Sequence, residues 1–235
     1  MKPNLAVWAA WIGMALVATS GQAAQAEPVP LDEGIALAII FDTSGSMQDS
    51  VRDSDGQRSP KYIVATHALE MVLQRLEAFA KKPALETSRK METGLITFAG
   101  NRAKEALPFQ KFNPDTIRQW LRGFQHPDGA TPLGEALQLG ANLVLKSSLT
   151  QKHVLVITDG LNTSGPAPEA VLPPILKRAE KENTAVLVHF IAFDVAARLF
   201  DPIKNQGVTV VSAADEKQLK EKLEFILEQK ILLEK

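Results

Sequence analysis

Short, almost continuous apolar runs alternate with amphipathic stretches along most of the chain, and this alternation restricts its fold more than any other feature. The clearest runs cover residues 35–41, 153–158 and 185–193, and each has the length of a buried strand. Between them, apolar residues recur at helical spacing. Apolar strands separated by helices are typical of a parallel sheet covered on both faces. The sequence therefore predicts an α/β fold with a doubly wound, mostly parallel central sheet flanked by helices.

The pattern predicts six strands and five helices. The strands are expected at 35–41, 94–99, 106–109, 153–158, 185–193 and 208–211, and the helices at 62–80, 115–122, 132–145, 169–181 and 215–233. Pro108 would remove a hydrogen bond from a central strand, so 106–109 is predicted as a short edge strand. The polar stretch 48–60 contains three aspartates but lacks the spacing and closing Glu of an EF-hand loop. A solvated loop is therefore favoured there over a second cation site.

The first 26 residues have the pattern of a signal peptide. Lys2 precedes an apolar run at 5–19, which is shorter than the roughly 20 residues needed to span a membrane. Ala-Gln-Ala at 24–26 then matches a signal-peptidase site. We expect cleavage after Ala26, with an uncleaved anchor as the alternative. Residues 27–34 are expected to form a linker, and the mature protein is expected to be periplasmic or secreted, with no later membrane span.

Composition excludes several classes of function. The 26 basic and 27 acidic residues leave a formal net charge of -1, so there is no basic excess of the kind that a nucleic-acid partner requires. Cysteine is absent, which excludes disulfides, thiolate metal sites and a cysteine nucleophile. The length fits one domain, which we place at 35–235.

Oxygen-bearing side chains cluster in loops that follow or precede the predicted strands. Asp42, Ser44 and Ser46 follow the first strand, Thr131 opens a helix, and Asp159 follows the strand at 153–158. Ligands of open α/β sheets bind beyond the carboxyl ends of the strands, so these loops are expected to meet. Two carboxylates and three hydroxyls are ligands that a hard cation prefers. Because only two of the five side chains are acidic, the set fits a Mg²⁺ site that retains waters better than a dedicated Ca²⁺ site. Ca²⁺ and Mn²⁺ stay open as alternatives.

These segments resemble those of a known family. Asp-Thr-Ser-Gly-Ser at 42–46 matches the Asp-x-Ser-x-Ser motif of von Willebrand factor type A domains. Thr131 is similar to the metal-site threonine of that family, and Asp159 in Ile-Thr-Asp-Gly at 157–160 is similar to its final aspartate. The resemblance runs from about residue 35 to the last helix. It implies a Rossmann-like fold with about six strands, in which 106–109 supplies a short antiparallel edge strand.

The resemblance also implies roles for the five residues. Ser44 and Ser46 would bind the ion directly, and Thr131 would bind it directly in one state and through water in another. Asp42 and Asp159 would act mainly through waters and hydrogen bonds. An ion held in this way binds an Asp or Glu carboxylate of a partner protein. The resemblance thus implies a non-enzymatic binding module, monomeric alone, for adhesion or assembly of an envelope or membrane complex.

Other interpretations of the same residues stay open. Taken singly, 42–46 and Asp159-Gly160 are ordinary turn sequences, and Thr131-Pro132 is a good helix start. An accessory or maturation subunit with a structural metal is a second hypothesis. A metal-assisted hydrolase is a third, disfavoured because no general base stands beside the motif. Asp194, after the third buried strand, is expected to cap a helix or to support the site rather than to bind the ion.

Overall fold

The computed structural model describes residues 32–81 and 90–233. The predicted signal peptide at 1–26, and the alternative of an uncleaved anchor, lie outside the described residues. Within those two ranges, no helix combines the length and the apolar character needed to cross a bilayer.

Eight strands and six α-helices make up the described part of the chain. In order they are β1 (Asp32–Phe41), β2 (Ser50–Arg52), β3 (Arg58–Pro60), α1 (Lys61–Lys81), β4 (Lys90–Ala99), β5 (Arg102–Lys111), α2 (Pro114–Gly123), α3 (Leu133–Lys146), β6 (Leu149–Thr158), α4 (Pro168–Lys181), β7 (Val186–Phe193), α5 (Asp201–Lys204), β8 (Thr209–Ala213) and α6 (Glu216–Ile226). A 3₁₀ turn at Gly45–Gln48 follows β1, and a π-helical turn at Leu227–Ile231 continues α6.

Six of these strands form the central sheet, in the order β5-β4-β1-β6-β7-β8. All neighbours are parallel except β4 and β5, which are antiparallel. The predicted fold class is therefore confirmed, including the antiparallel edge strand that carries Pro108. That strand is longer than the predicted 106–109, since it covers Arg102–Lys111. Strand β1 also begins at Asp32, three residues before the predicted start at Ile35.

The core lies on both faces of the sheet, as the apolar strands require. Leu37 and Ile39 of β1 pack in a cluster with α1, α2 and α6. Ala38 and Ile40 pack in a second cluster with α3, α4 and α5. Because both faces are covered, the side chains at successive positions of β1 from Ile35 to Phe41 are all buried.

The polar stretch 48–60 contains a small hairpin that the sequence pattern did not indicate. Strands β2 and β3 pair antiparallel there. One carboxylate oxygen of Asp53 accepts hydrogen bonds from the backbone N–H of Asp55 and of Gln57, and the other accepts one from Ser59. Asp53 thus stabilises the turn of the hairpin. This role accounts for its carboxylate without the second cation site considered for this stretch.

Two buried histidines face each other on neighbouring central strands. His153 Nδ1 lies 3.2 Å from His189 Nε2, and the rings are stacked with centroids 5.5 Å apart. Burial and the neighbouring His189 lower the pKa of His153 to about 3. Burial and Lys230 lower the pKa of His189 to about 4. Both side chains are therefore neutral at pH 7, and the folded protein resists their protonation.

We predict that this pair makes the fold sensitive to acid. Each histidine has a folded pKa below its ordinary value of 6.5, so its contribution to stability is complete above pH 6.5 and is lost as pH falls toward 4 and 3. A His153→Leu/His189→Leu double variant lacks this loss. Urea denaturation at pH 7 and pH 5 is expected to show that the native protein loses on the order of 3 kcal/mol more than the variant.

Other titrating groups are common to both proteins and cancel in that difference. His126→Gln is the matched control, since His126 is exposed, and its pH dependence should equal that of the native protein. An equal loss in the native protein and the double variant would contradict the prediction.

Candidate metal centre

The order of strands in the sheet brings two loops together at its centre. Strand β1 has β4 on one side and β6 on the other. The loops that follow β1 and β6 therefore start side by side at the carboxyl ends of two adjacent parallel strands. The last pair in register is Phe41 with Ile157. The backbone N–H of Asp42 then donates to the carbonyl of Ile157 at 3.0 Å. Asp42 and Asp159 therefore lie at the same edge of the sheet.

The buried carboxylate of Asp42 is the centre of a hydrogen-bond network. Its Oδ1 accepts from the backbone N–H of Ser44 at 2.8 Å and from Ser44 Oγ at 2.6 Å. Its Oδ2 accepts from Thr158 Oγ1 at 2.6 Å. These bonds fix the loop after β1 against the end of β6. Thr158 was not among the predicted site residues, although it directly precedes one of them.

Ser46 connects this network to the second carboxylate. Its Oγ lies 3.2 Å from Ser44 Oγ and donates to Asp159 Oδ1 at 2.8 Å. Ser46 is exposed, whereas Asp42, Ser44 and Asp159 are buried. The four side chains therefore form a continuous row of oxygen atoms that reaches the surface at Ser46.

Thr131 is brought to the same place by its own loop contacts. Its backbone N–H donates to Thr163 Oγ1 at 2.8 Å, and its carbonyl accepts from the N–H of Thr163 at 3.0 Å. A Cβ on Gly160 would stand 3.8 Å from Thr131 Oγ1 and 4.0 Å from Ser46 Oγ. Both hydroxyls thus border the volume beside Gly160. The structure brings all five predicted site residues to one edge of the sheet.

Backbone hydrogen bonds join the loop after β1 to the loop that contains Thr131. The N–H of Gly45 donates to the carbonyl of Gly129 at 3.1 Å, and the N–H of Asp128 donates to the carbonyl of Thr43 at 2.9 Å. Gly129 has a φ of +83°, and a Cβ there would lie 2.5 Å from the carbonyl oxygen of Gly100. Only glycine fits that position without displacement of the loop.

A lysine that the sequence pattern did not indicate completes the site. Lys61, the first residue of α1, places its Nζ 3.0 Å from Asp159 Oδ2 and 3.0 Å from Asp194 Oδ2. Burial lowers the pKa of Lys61, but its hydrogen bonds to Asp194 and Asp159 outweigh that effect, so the net pKa is raised. Asp194 thus contacts the site through Lys61, in agreement with its expected supporting role.

The electrostatics of the site favour a bound cation. Burial raises the pKa of Asp42 to about 6; the charge of Asp159 adds to this, while the hydrogen bonds from Ser44 and Thr158 oppose it. A divalent cation beside the two carboxylates would offset that unfavourable burial of charge. Over 32–81 and 90–233, no group of three or more His, Asp and Glu side chains is placed to hold a metal. A cation here therefore depends on hydroxyl oxygens, and three hydroxyls with two carboxylates fit a hard ion.

Comparison of the sequence with known families identifies the class of protein. The profile of the von Willebrand factor type A domain family matches residues 37–162, more than half of the chain. The chain therefore belongs to this family, and the matched segment contains all five predicted site residues. No curated protein sequence matches the chain at a significant level.

Solved structures with the same fold come from proteins of low sequence identity. The PilB minor pilin from Streptococcus sanguinis has a TM-score of 0.64 and 18% identity over 88% of this chain, which spans 63% of PilB. Proximal thread matrix protein 1 from the mussel byssus, with a zinc-occupied MIDAS motif, has a TM-score of 0.61 and 18% identity, with 84% of this chain and 48% of that one covered. The von Willebrand factor domain of the type V pili tip protein Mfa5 from Porphyromonas gingivalis has a TM-score of 0.62 and 11% identity, with 84% and 94% covered.

We predict that a methyl group on Gly134 disturbs the support of Thr131. Gly134 lies in the first turn of α3; its N–H donates to Asn162 Oδ1 at 3.1 Å, and a Cβ would lie 2.0 Å from the carbonyl oxygen of Pro166. Gly134→Ala is expected to lower the free energy of unfolding by about 2 kcal/mol, because the backbone at 166 must move.

Gly123→Ala is the control, since a Cβ at Gly123 meets nothing within 4 Å. Urea denaturation of the two variants should show no destabilisation for Gly123→Ala. If both variants lose the same free energy of unfolding, the contact between α3 and the 162–166 loop is not what requires glycine at residue 134.

Proposed function

We propose that this protein is an exported binding module whose bound divalent cation coordinates a carboxylate of a partner protein. Mg²⁺ is the proposed ion, with Ca²⁺ and Mn²⁺ as alternatives. The observation that carries the proposal is the row of oxygens from Asp42 through Ser44 and Ser46 to Asp159, which Thr131 borders. Each serine hydroxyl donates to one of the two carboxylates, and the two hydroxyl oxygens lie 3.2 Å apart. When bound, the ion would supply a positive charge that attracts an Asp or Glu side chain of the partner.

The directions of the hydrogen bonds support direct binding through the serines. Ser44 Oγ donates its proton to Asp42, and Ser46 Oγ donates its proton to Asp159. A hydroxyl that has given its proton to a carboxylate keeps its lone pairs for a cation. Asp42 and Asp159 would then orient the hydroxyls and hold waters, as proposed from the family resemblance, and Thr131 would supply the third hydroxyl.

Exposure and the comparisons support a binding role. Ser46 is exposed, and so is the nearby Leu161 at 44%, so a partner can reach this edge of the sheet. The similar structures include a minor pilin and a pilus tip protein, which favours adhesion or envelope complex assembly over catalysis. We therefore propose no enzymatic activity and no nucleic-acid partner.

The proposed organisation follows from the sequence. Residues 1–26 would be a signal peptide cleaved after Ala26. The linker predicted at 27–34 would end where β1 begins at Asp32, and the von Willebrand factor type A domain would extend from there to residue 235. The mature protein would be periplasmic or secreted and monomeric alone, and a membrane complex is one place where its partner would be found.

We predict that Mg²⁺ binds the protein and that Ser46→Ala weakens this binding at least about tenfold, because one ligand oxygen is removed. Isothermal titration calorimetry with MgCl₂ measures both constants. Ser212→Ala is the matched control, since Ser212 is an exposed serine on β8. Equal affinities in the native protein and Ser46→Ala would remove Ser46 from the proposed site.

We also predict that partner capture requires both the cation and a free carboxylate. Immobilised protein is exposed to envelope extract in Mg²⁺, in EDTA, and in Mg²⁺ after the carboxylates of the extract have been converted to amides. The same partner should be retained in the first condition only, and Ser46→Ala should not retain it. If Mg²⁺ instead raises the melting temperature while capture is the same in all conditions, the metal is structural, as the accessory-subunit hypothesis states.

A further inference from the structure

Lys61 brings a full positive charge into direct contact with one carboxylate of the candidate metal centre. Its side chain is 7% exposed, and that of Asp159 is 0% exposed, so the contact between them is shielded from water. Asp159 divides its oxygens, since Oδ1 accepts from Ser46 and Oδ2 accepts from Lys61. The carboxylate that faces the hydroxyl row is therefore already paired with an ammonium group.

This pairing changes the charge that a bound cation meets. Asp42 and Asp159 together would neutralise a divalent ion, and the neutral complex would attract a partner carboxylate only weakly. With the charge of Lys61 included, the same complex keeps one net positive charge. Charges within a few ångströms of one another in a poorly hydrated site interact strongly, so this difference is large for both the ion and the partner.

Asp194 offsets only part of this effect. It also lies 3.0 Å from Lys61 Nζ, but its side chain is 42% exposed, and water therefore screens it more than it screens Asp159. Asp49 Oδ2 lies further from Lys61 Nζ, at 3.9 Å, on a side chain that is 74% exposed, and water screens it more strongly still. Asp194 has a φ of +54°, a conformation that few residues other than Gly, Asn and Asp adopt readily. Its position is thus compatible with Asn, which allows its charge to be removed with little change in the backbone.

We infer that Lys61 sets the ligand preference of the metal centre: it lowers the affinity for the cation and raises the affinity of the bound cation for a carboxylate. This inference rests on the proposed function. It goes beyond it because Lys61 is not one of the five residues proposed to hold the ion. A purely structural salt bridge would behave differently, since its loss would weaken both binding steps together.

The experiment measures the two binding steps separately in the full chain. Mg²⁺ affinity is measured by calorimetry, and acetate, as the carboxylate probe, is titrated into Mn²⁺-loaded protein and followed by the paramagnetic relaxation of its methyl signal. Lys61→Met is expected to bind Mg²⁺ about three- to tenfold more tightly and acetate about three- to tenfold more weakly. Asp194→Asn should have the opposite effects, with weaker binding of Mg²⁺ and tighter binding of acetate, because it leaves more of the Lys61 charge uncompensated.

Lys81→Met is the matched control, since Lys81 ends the same helix, about 30 Å from Lys61 at the rise of an α-helix. Both of its constants should equal those of the native protein. If Lys61→Met does not fold, Asp194→Asn decides the question alone. The inference is overturned if, in a variant that folds, the affinities for Mg²⁺ and for acetate change in the same direction or do not change. In that case Mg²⁺ binding by the native protein still supports the proposed function. A native protein that binds no Mg²⁺ contradicts both.

Discussion

The hydrogen bonds accepted by Asp42 are the interaction on which the candidate site depends. Its carboxylate is fully buried just beyond the end of β1, where an unpaired charge would be very unfavourable. Ser44 and Thr158 satisfy its two oxygens and thereby bind the loop after β1 to the end of β6. The positions of the Ser46 and Asp159 oxygens follow from that connection, because Ser46 lies two residues beyond Ser44 in the same loop and Asp159 directly follows Thr158.

The strand order turns this local network into a site. Ser46 and Asp159 are 113 residues apart in the chain and in hydrogen-bond contact in the fold. That contact is possible because β6 is inserted beside β1 after the chain has formed β4 and β5 on the other side. The chain leaves β1 and β6 toward opposite sides, so the loops that follow these two adjacent strands separate and leave an opening for a ligand. The glycine at 129 keeps the backbone close enough for the third loop to reach it.

How much could be predicted from the sequence depended on how each element is buried. The central strands carry almost continuous apolar runs because both of their faces are covered, so 153–158 and 35–41 could be recognised. The edge strand β5 is half exposed and lacks such a run, and only its proline marked its position at the edge. The hairpin at 50–60 is held by the side chain of Asp53, a contact that no periodicity encodes. The five candidate site residues could be proposed from the sequence because each lies in a short motif next to a predicted element.

Lys61 could not be found in that way, because its role is defined by two distant contacts and not by any local pattern. Its Nζ meets a carboxylate 98 residues away only because α1 begins over the carboxyl ends of the strands. In the proposed function, its charge would act on both the bound ion and the carboxylate of the partner. Neutral hydroxyls can hold a hard ion without cancelling its charge, and a buried ammonium group cancels part of the charge of the aspartates that orient them. In the function proposed above, a site of this composition would favour the capture of an anion from outside over tight retention of the ion itself.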